Sequence, residues 1–385
     1  MEIMIITIVC DVLGEENNGT TIAAMNLVRS LRAKGHEVRI LCPDKDRQGR
    51  EGFYIVPTIN LGVFNGYVRK NGVTIARADR EVIKKAIDGA DVVHVMVPFF
   101  LGRCAAKMAH EAGIPVSAGF HALAENLTVH VFMKNSAGVN RMIYRFFAGF
   151  YENCDAIHYP TQFLRDLYEG MYGKTNGYVI SNGVNSAFKP MPASKPEEYK
   201  DKFVILFTGR YSGEKSHKVL IDAVDLSKHR DNIQLIFAGA GPKDEFLKKY
   251  SKKLPVYPRF EFFSREDMVK TVNSSDLYVH PAEIEAEGIA CLEAIACGLV
   301  PVISNSPRCA TKAYAIDEKN LFQYDSPENL AGKIDWWIEH PEEKEARRRE
   351  YLEYAGRLFN QEACMDRMER MLIETAELGR EEAAV

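Results

Sequence analysis

The sequence lacks several things, and each absence removes a class of function. It has no C-x-x-C pair: its eight cysteines stand singly at 10, 42, 104, 154, 291, 297, 309 and 364. Zinc-ribbon spacing is therefore missing. Scattered thiols in a chain of this size fit a reducing compartment, so a cytoplasmic protein is expected. No run of 18 apolar residues exists, so no membrane-spanning helix is expected. The opening MEIMIITIVCDVLG is apolar but carries Glu2 and no basic n-region, so it reads as a first strand rather than a signal peptide. Lys and Arg number 49 against 53 Asp and Glu, a net charge of −4, which excludes a surface basic all over and with it a nucleic-acid partner. A local basic patch remains open. There is no low-complexity tract and no repeat of 20–50 residues, so neither disorder nor a solenoid is expected. What remains is a globular chain of 385 residues. That is too long for one ordinary core and suits two domains of roughly 150–200 residues.

The two halves alternate strand and helix signals. In the first, apolar runs at 3–9, 38–41, 91–97, 114–120 and 155–160 read as strands covered on both faces. A helical pattern follows Asn17–Thr21 and closes at Lys34-Gly35. After a polar, proline-bearing stretch at 187–202, strands are expected at 203–209, 233–239, 259–264, 276–281 and 299–304, with a helix over 214–226. Repeated βα winding implies parallel sheets. The expected fold class is α/β, with two Rossmann-like domains. Their bounds are read as 1–188 and 189–360. A charged terminal helix over 361–385, expected to pack back on the first domain, carries an apolar stripe at Met365, Met368 and Met371–Leu372.

Four places carry chemistry. The first is EAEGIACLEAIACG, residues 285–298. It follows an expected strand, so Glu285 stands where α/β sheets bind ligands. Gly288 opens a helix, and the amides of Gly288, Ile289 and Ala290 would be unpaired donors at its positive end, suited to a diphosphate. Glu293, one turn on, can accept both hydroxyls of a ribose, and Glu285 a sugar hydroxyl. The bland alternative for Glu285 and Glu287 is a pair of solvated acids at a helix start.

The second is FTGRYSGEKS, residues 207–216. Gly209, Arg210 and Lys215 follow a strand, and the two cations suit a pyrophosphate unless they are ordinary surface charges. The loop does not meet the Walker A pattern. The third is Gly19-Thr20 in the turn after the first strand. It is a weak signal, as is GAGP at 239–242, which lacks the G-x-G-x-x-G continuation of a dinucleotide site. The fourth is GFHALAENLT, residues 119–128. His121 follows a strand, with Glu125 and Asn126 in the same loop. A sugar-contacting histidine and a structural one both fit.

With these residues in place, the chain resembles the GT-B glycosyltransferases of the retaining family 4 type over essentially its whole length. The pair Glu285 and Glu293, the TGR…EK segment, AGAGP, the early glycine and ISNGVN (180–185) occur in the family's order. FHALAENLT with the Tyr- and Phe-rich stretch after it looks more narrowly like bacterial glucosyltransferases acting on diacylglycerol or related lipids. The resemblance implies two domains facing across a cleft, with the acceptor on the first and the nucleotide sugar on the second. It implies that Arg210 and Lys215 neutralise the diphosphate of a UDP-hexose, glucose or galactose. Glu293 would hold the ribose, Glu285 the hexose 3-hydroxyl, and His121 the hexose near its reacting face. Gly19 would face the diphosphate. Asn18-Gly19 replaces the family's frequent paired glycines, and Glu287 stands where lipid-linked relatives often have Gln.

No DxD motif stands at a strand end, so cations and helix amides would stabilise the leaving group, with no metal or other cofactor expected. The acceptor expected is a lipid. The segment 129–154 sets Lys134, Arg141 and Arg145 among Phe132, Met133, Phe146 and other aromatics. That suits the face of an anionic bilayer, and so a peripheral place on the cytoplasmic membrane, or equally a core helix. A second basic stretch runs over 68–80. Two other readings compete: the same chemistry on a soluble sugar or polysaccharide, and a sugar-nucleotide binder or oxidoreductase that transfers no sugar.

Overall fold

A computed structural model of the chain describes residues 3–13, 19–59, 76–129 and 133–383. Asn17 and Asn18 of the early loop, Phe132, and residues 68–75 of the second basic stretch lie outside them. The chain forms two compact units. The first comprises Met1–Ala124, Asn135–Asn182 and Glu362–Val385, and the second Glu125–Lys134 and Gly183–Gln361. The change of unit thus falls after Asn182, six residues before the sequence-based bound, and a ten-residue segment after His121 joins the second unit.

The first unit holds a seven-stranded sheet. Its strands are β1 (Ile5–Val9), β2 (Glu37–Cys42), β3 (Phe53–Ile55), β4 (Val92–Val95), β5 (Val116–Gly119), β6 (Ala156–Tyr159) and β7 (Gly177–Val179), in the order β3-β2-β1-β4-β5-β6-β7. Every neighbouring pair is parallel, with Val9 opposite both Leu41 and Val95. Helices cover both faces of a parallel sheet, which is why β4, β5 and β6 are buried at every residue. The terminal helix Gln361–Ala383 completes this core: Cys364, Met365, Met368, Met371, Leu372 and Ala376 pack with β1, β2 and the helix Gly19–Ala33. An ion pair of Lys34 and a hydrogen bond of His36 Nε2 (2.9 Å), both with Glu369, fix its register. The apolar stripe read from the sequence is the buried face.

The second unit holds β8 (Phe203–Thr208), β9 (Ile233–Ala238), β10 (Arg259–Glu261), β11 (Leu277–His280), β13 (Pro301–Ser304) and β15 (Leu321–Phe322), parallel in the order β10-β9-β8-β11-β13-β15. A separate two-residue ladder pairs β12 (Ile284–Glu285) with β14 (Arg308–Cys309). Its core runs from Val204–Phe207 through Leu220, Leu235, Val279 and Leu292 to Trp337 and Tyr351.

In each sheet the winding direction reverses once, between β1 and β4 and between β8 and β11. Such a reversal splays the loops at the strands' carboxyl ends and opens a crevice for ligands. The reversal in the second unit sends the loop 209–216 one way and the loop 281–288 the other. Those loops carry Arg210, Lys215, Glu285 and Gly288.

Candidate functional site

The helix expected over 214–226 begins later. Gly213–Lys215 form a single 3-10 turn, Ser216 takes a left-handed conformation (φ 50°), and the α-helix runs His217–Leu226. Lys215 thus sits in a tight turn before the helix rather than on it. A non-glycine residue at Ser216 costs about 1–2 kcal/mol, a strain the surrounding turn sustains.

The neighbouring turn GAGP holds this loop. Tyr211 donates its amide to Ala240 (2.9 Å), and Lys243 donates its own to Tyr211 (3.0 Å). A Cβ on Gly239 would lie 2.1 Å from the Gly209 carbonyl, and one on Gly241 2.7 Å from the Tyr211 backbone. These glycines are required by close packing of two loops, so a phosphate is not needed to explain them.

Glu285 lies beyond the end of β11, on β12, where the ladder with β14 sets its depth. Its carboxylate pairs with the Lys215 ammonium, and His280 Nε2 stands 3.4 Å away. Burial opposes the charge on Glu285, but Lys215 and His280 outweigh it and hold the carboxyl well below the usual carboxylate range. The same pairing raises Lys215 against the pull of its own burial. Arg210 turns to Glu214 at 3.1 Å, a carboxylate that also accepts from Ser212 (2.5 Å). Each expected cation therefore has an acidic partner within the protein.

Gly288 has φ 80° and caps the helix Ile289–Ala296. A Cβ there would stand 2.2 Å from Thr311 and 3.2 Å from Glu285, so only glycine fits. The amides of Ile289 and Ala290 open the helix, where no intrahelical acceptor exists for them. Glu293 is half-buried on this helix, and burial pushes its carboxyl up to about 7, with Arg265 acting in opposition. Glu287 is buried, 4% exposed, so the solvated-acid alternative fails for it. Its carbonyl accepts from the Tyr314 hydroxyl (2.9 Å).

The other expected residues belong to the first unit or to the segment Glu125–Lys134. Gly19 and Thr20 begin the helix after β1 in the first unit. Among the described residues, a Cβ on Gly19 would meet nothing within 4 Å. His121 folds back over β5, and a Cβ on Gly119 would collide with its ring at 2.2 Å. Its Nε2 is buried without a hydrogen-bond partner among the described residues. The ring stands 5.1 Å from that of His158, and burial lowers its basicity. Asn126 is half-buried in the segment that joins the second unit. Lys134, expected as a docking cation, instead pairs with the buried Glu283. Glu283 was not singled out in the sequence. Its signal, a third acid two residues before Glu285, is weak.

Two family models match the chain. One, described as Glycosyltransferase Family 4, covers residues 17–188. The other, described as Glycosyl transferases group 1, covers residues 192–357. The alpha-monoglucosyldiacylglycerol synthase of Streptococcus pneumoniae is 25% identical over 303 residues, 75% of this chain and 68% of its own. The catalytic domain of cholesterol-alpha-glucosyltransferase from Helicobacter pylori is 44% identical over 40% of this chain and 96% of its own, with a TM-score of 0.39. Anabaena HepE in complex with UDP-glucose matches 96% of this chain and 100% of its own at a TM-score of 0.74 and 16% identity.

Proposed function

Because the chain belongs to the GT-B fold glycosyltransferases of family 4, we propose that it moves a hexose from a UDP-sugar to a lipid acceptor such as diacylglycerol, with retained configuration. The observation that carries the donor half is the Lys215–Glu285 pair at the reversal of the second sheet, beside the open amides of Ile289 and Ala290. On this reading Arg210, Lys215 and those amides take the diphosphate. Gly209 and Gly288 give it room, and Glu293 accepts the ribose hydroxyls. Glu285 accepts a hexose hydroxyl. His121 and Gly19 keep the substrate-contacting roles that the resemblance gives them, and Thr20, Asn126 and Glu287 are further substrate-binding candidates, Glu287 also bracing its loop through its backbone carbonyl.

The bond that breaks joins the anomeric carbon to the diphosphate oxygen, which leaves with the electron pair. The acceptor hydroxyl oxygen attacks the same face, and its proton passes to the departing phosphate. Preset cations and amides stabilise charge as it develops on the leaving group, in a site where little water can screen them.

The lipid acceptor is supported by the name of the pneumococcal relative and by one face of the helix Ala137–Tyr151. That helix buries Tyr144, Phe147, Ala148, Phe150 and Tyr151. It exposes Arg141, Met142, Arg145 and Phe146, and beside it Arg103 lies 3.8 Å over the Phe146 ring. With Met142 65% and Phe146 46% exposed beside Arg141 and Arg145, the face is both apolar and basic, which fits an anionic membrane surface. No helix among the described residues is long and apolar enough to cross a membrane.

The test is turnover of UDP-glucose and UDP-galactose with diacylglycerol in mixed micelles, in EDTA. A glycolipid product with the donor's anomeric configuration is expected. Transfer only to soluble sugars would replace the lipid reading, and an absolute requirement for added magnesium or manganese would overturn the assignment of the leaving-group charge to Lys215 and Arg210.

A further inference from the structure

We propose that Glu283 is a positioning residue for the Lys215–Glu285 pair. The inference rests on the donor-site reading above and extends it to a residue outside the expected set.

Glu283 is 2% exposed, and a buried carboxylate is tolerated only when paired. It has two cationic partners, Arg308 and Lys134. Its peptide is tied as well. The amide of Glu283 donates to the Glu214 carbonyl (2.8 Å), in the turn that carries Lys215. Its carbonyl accepts from the Ser306 hydroxyl (2.6 Å), in the loop that follows β13. One residue therefore joins the loop of Lys215 to the loop of β14.

The ladder explains why this matters for Glu285. Ile284 stands opposite Arg308 and Glu285 opposite Cys309. Two residues per strand make a ladder too short to hold its own register. The ion pair from Glu283 to Arg308 spans that ladder at its first rung and pins it. Glu285, the next residue but one, is then held at the depth where it meets Lys215. Glu293 and the helix amides stand on a different element, Ile289–Ala296, so nucleotide binding and hexose placement are separable.

The experiment compares wild type, Glu283→Gln, Arg308→Met and the double variant for kcat, donor KM and the Kd of free UDP. Each single change is expected to lower kcat about 10- to 100-fold, as a displacement of the order of 1 Å does. The Kd of UDP should stay within about twofold. The double variant should be no worse than the poorer single, because both remove one restraint. A purely structural role would lower the melting temperature and leave kcat per folded molecule unchanged. A folded Glu283→Gln with kcat within twofold of wild type overturns the inference, as does an additive double variant. If the carboxylate variants do not fold, Ser306→Ala decides: it removes one bond to the same peptide, and an unchanged kcat would overturn the inference. Lys215→Ala is run alongside. A wild type without transferase activity, or a Lys215→Ala enzyme of full activity, sinks the functional reading itself. A disabled Lys215→Ala beside a silent Glu283→Gln sinks only this inference.

Discussion

Lys215 and Glu285, seventy residues apart in sequence, neutralise each other at the point where the second sheet reverses its winding. The pair keeps an ionised carboxylate in a buried place. On the proposed reading, an incoming diphosphate draws Lys215 toward itself and frees Glu285 for a sugar hydroxyl.

Lys215→Ala should therefore do damage twice, removing a cation from the leaving group and leaving Glu285 buried without its counter-charge. Steady-state turnover should fall by about 10²–10³, and Arg210→Ala should lose a similar amount. Lys215→Arg should recover part of it. Near-normal rates in both alanine variants would dismiss the diphosphate role.

Glu293 gives a pH signature. Burial raises its carboxyl from 4.5 to about 7. Between those values the unfolded chain releases its proton while the folded chain keeps it, so this group's contribution to stability falls as pH rises through the window. Glu293→Gln should melt near wild type at pH 4.5 and higher than wild type at pH 8. The same variant should bind UDP at least about tenfold more weakly at pH 8, since a hydrogen bond to a charged group is worth roughly 1.5–3 kcal/mol. Wild-type affinity should increase with pH through about 7. Calorimetry of UDP binding and melting curves across pH check both halves, and a UDP affinity unaffected by the change would refute the ribose role.

Membrane contact is tested on the exposed face of the helix Ala137–Tyr151. Each cation near an anionic bilayer contributes about 1 kcal/mol, screened over roughly 8–10 Å. Sedimentation with anionic vesicles should fall steeply with salt. Arg141→Glu with Arg145→Glu should abolish it while turnover of a detergent-dispersed short-chain acceptor persists. Undiminished vesicle binding by the double variant would move the docking surface elsewhere.

Asp11 offers a purely structural check. It is fully buried, and its carboxylate accepts the amides of Leu101 (2.7 Å) and Gly102 (2.9 Å), capping the helix Phe100–Glu111 from the end of the neighbouring strand β1. Burial pushes it up to about 7, against the pull of those two amides. Asp11→Ala should cost about 1–2 kcal/mol in denaturant unfolding, as lost caps do. A smaller loss would mean that the helix start finds other acceptors.

The long strands and the helix Ile289–Ala296 with Glu293 were legible because apolar runs and a Gly-opened helix are local patterns. The strands β3, β7, β12, β14 and β15 were not read from the sequence. They have two or three residues each, too few to show a period, and their neighbours place them. Arg210 and Lys215 fell at a strand end as read. Their acidic partners did not show, since Glu214 reads as an ordinary helix-start acid and the Lys215–Glu285 pairing spans two loops. The pairing of Lys134 did not show for a similar reason: its partner Glu283 is 149 residues on. The motif GAGP was read as a weak ligand signal, and the close approach of the Gly209–Tyr211 backbone that explains it is visible only in three dimensions. The roles given to His121 and Gly19 rest on resemblance, which no local pattern of residues supplies.

The terminal helix has a consequence for synthesis. The face of β1 and the helix Gly19–Ala33 that it covers emerges from the ribosome before the second unit, yet Met365, Met368 and Met371 emerge only after it. At roughly 5–20 residues per second, the whole second unit must be made before that apolar face is closed. The unit translated first is finished last. A stop codon shortly after Leu358 would therefore strand a folded second unit beside an aggregation-prone first one, and a nascent chain in the cell must be guarded over the same interval.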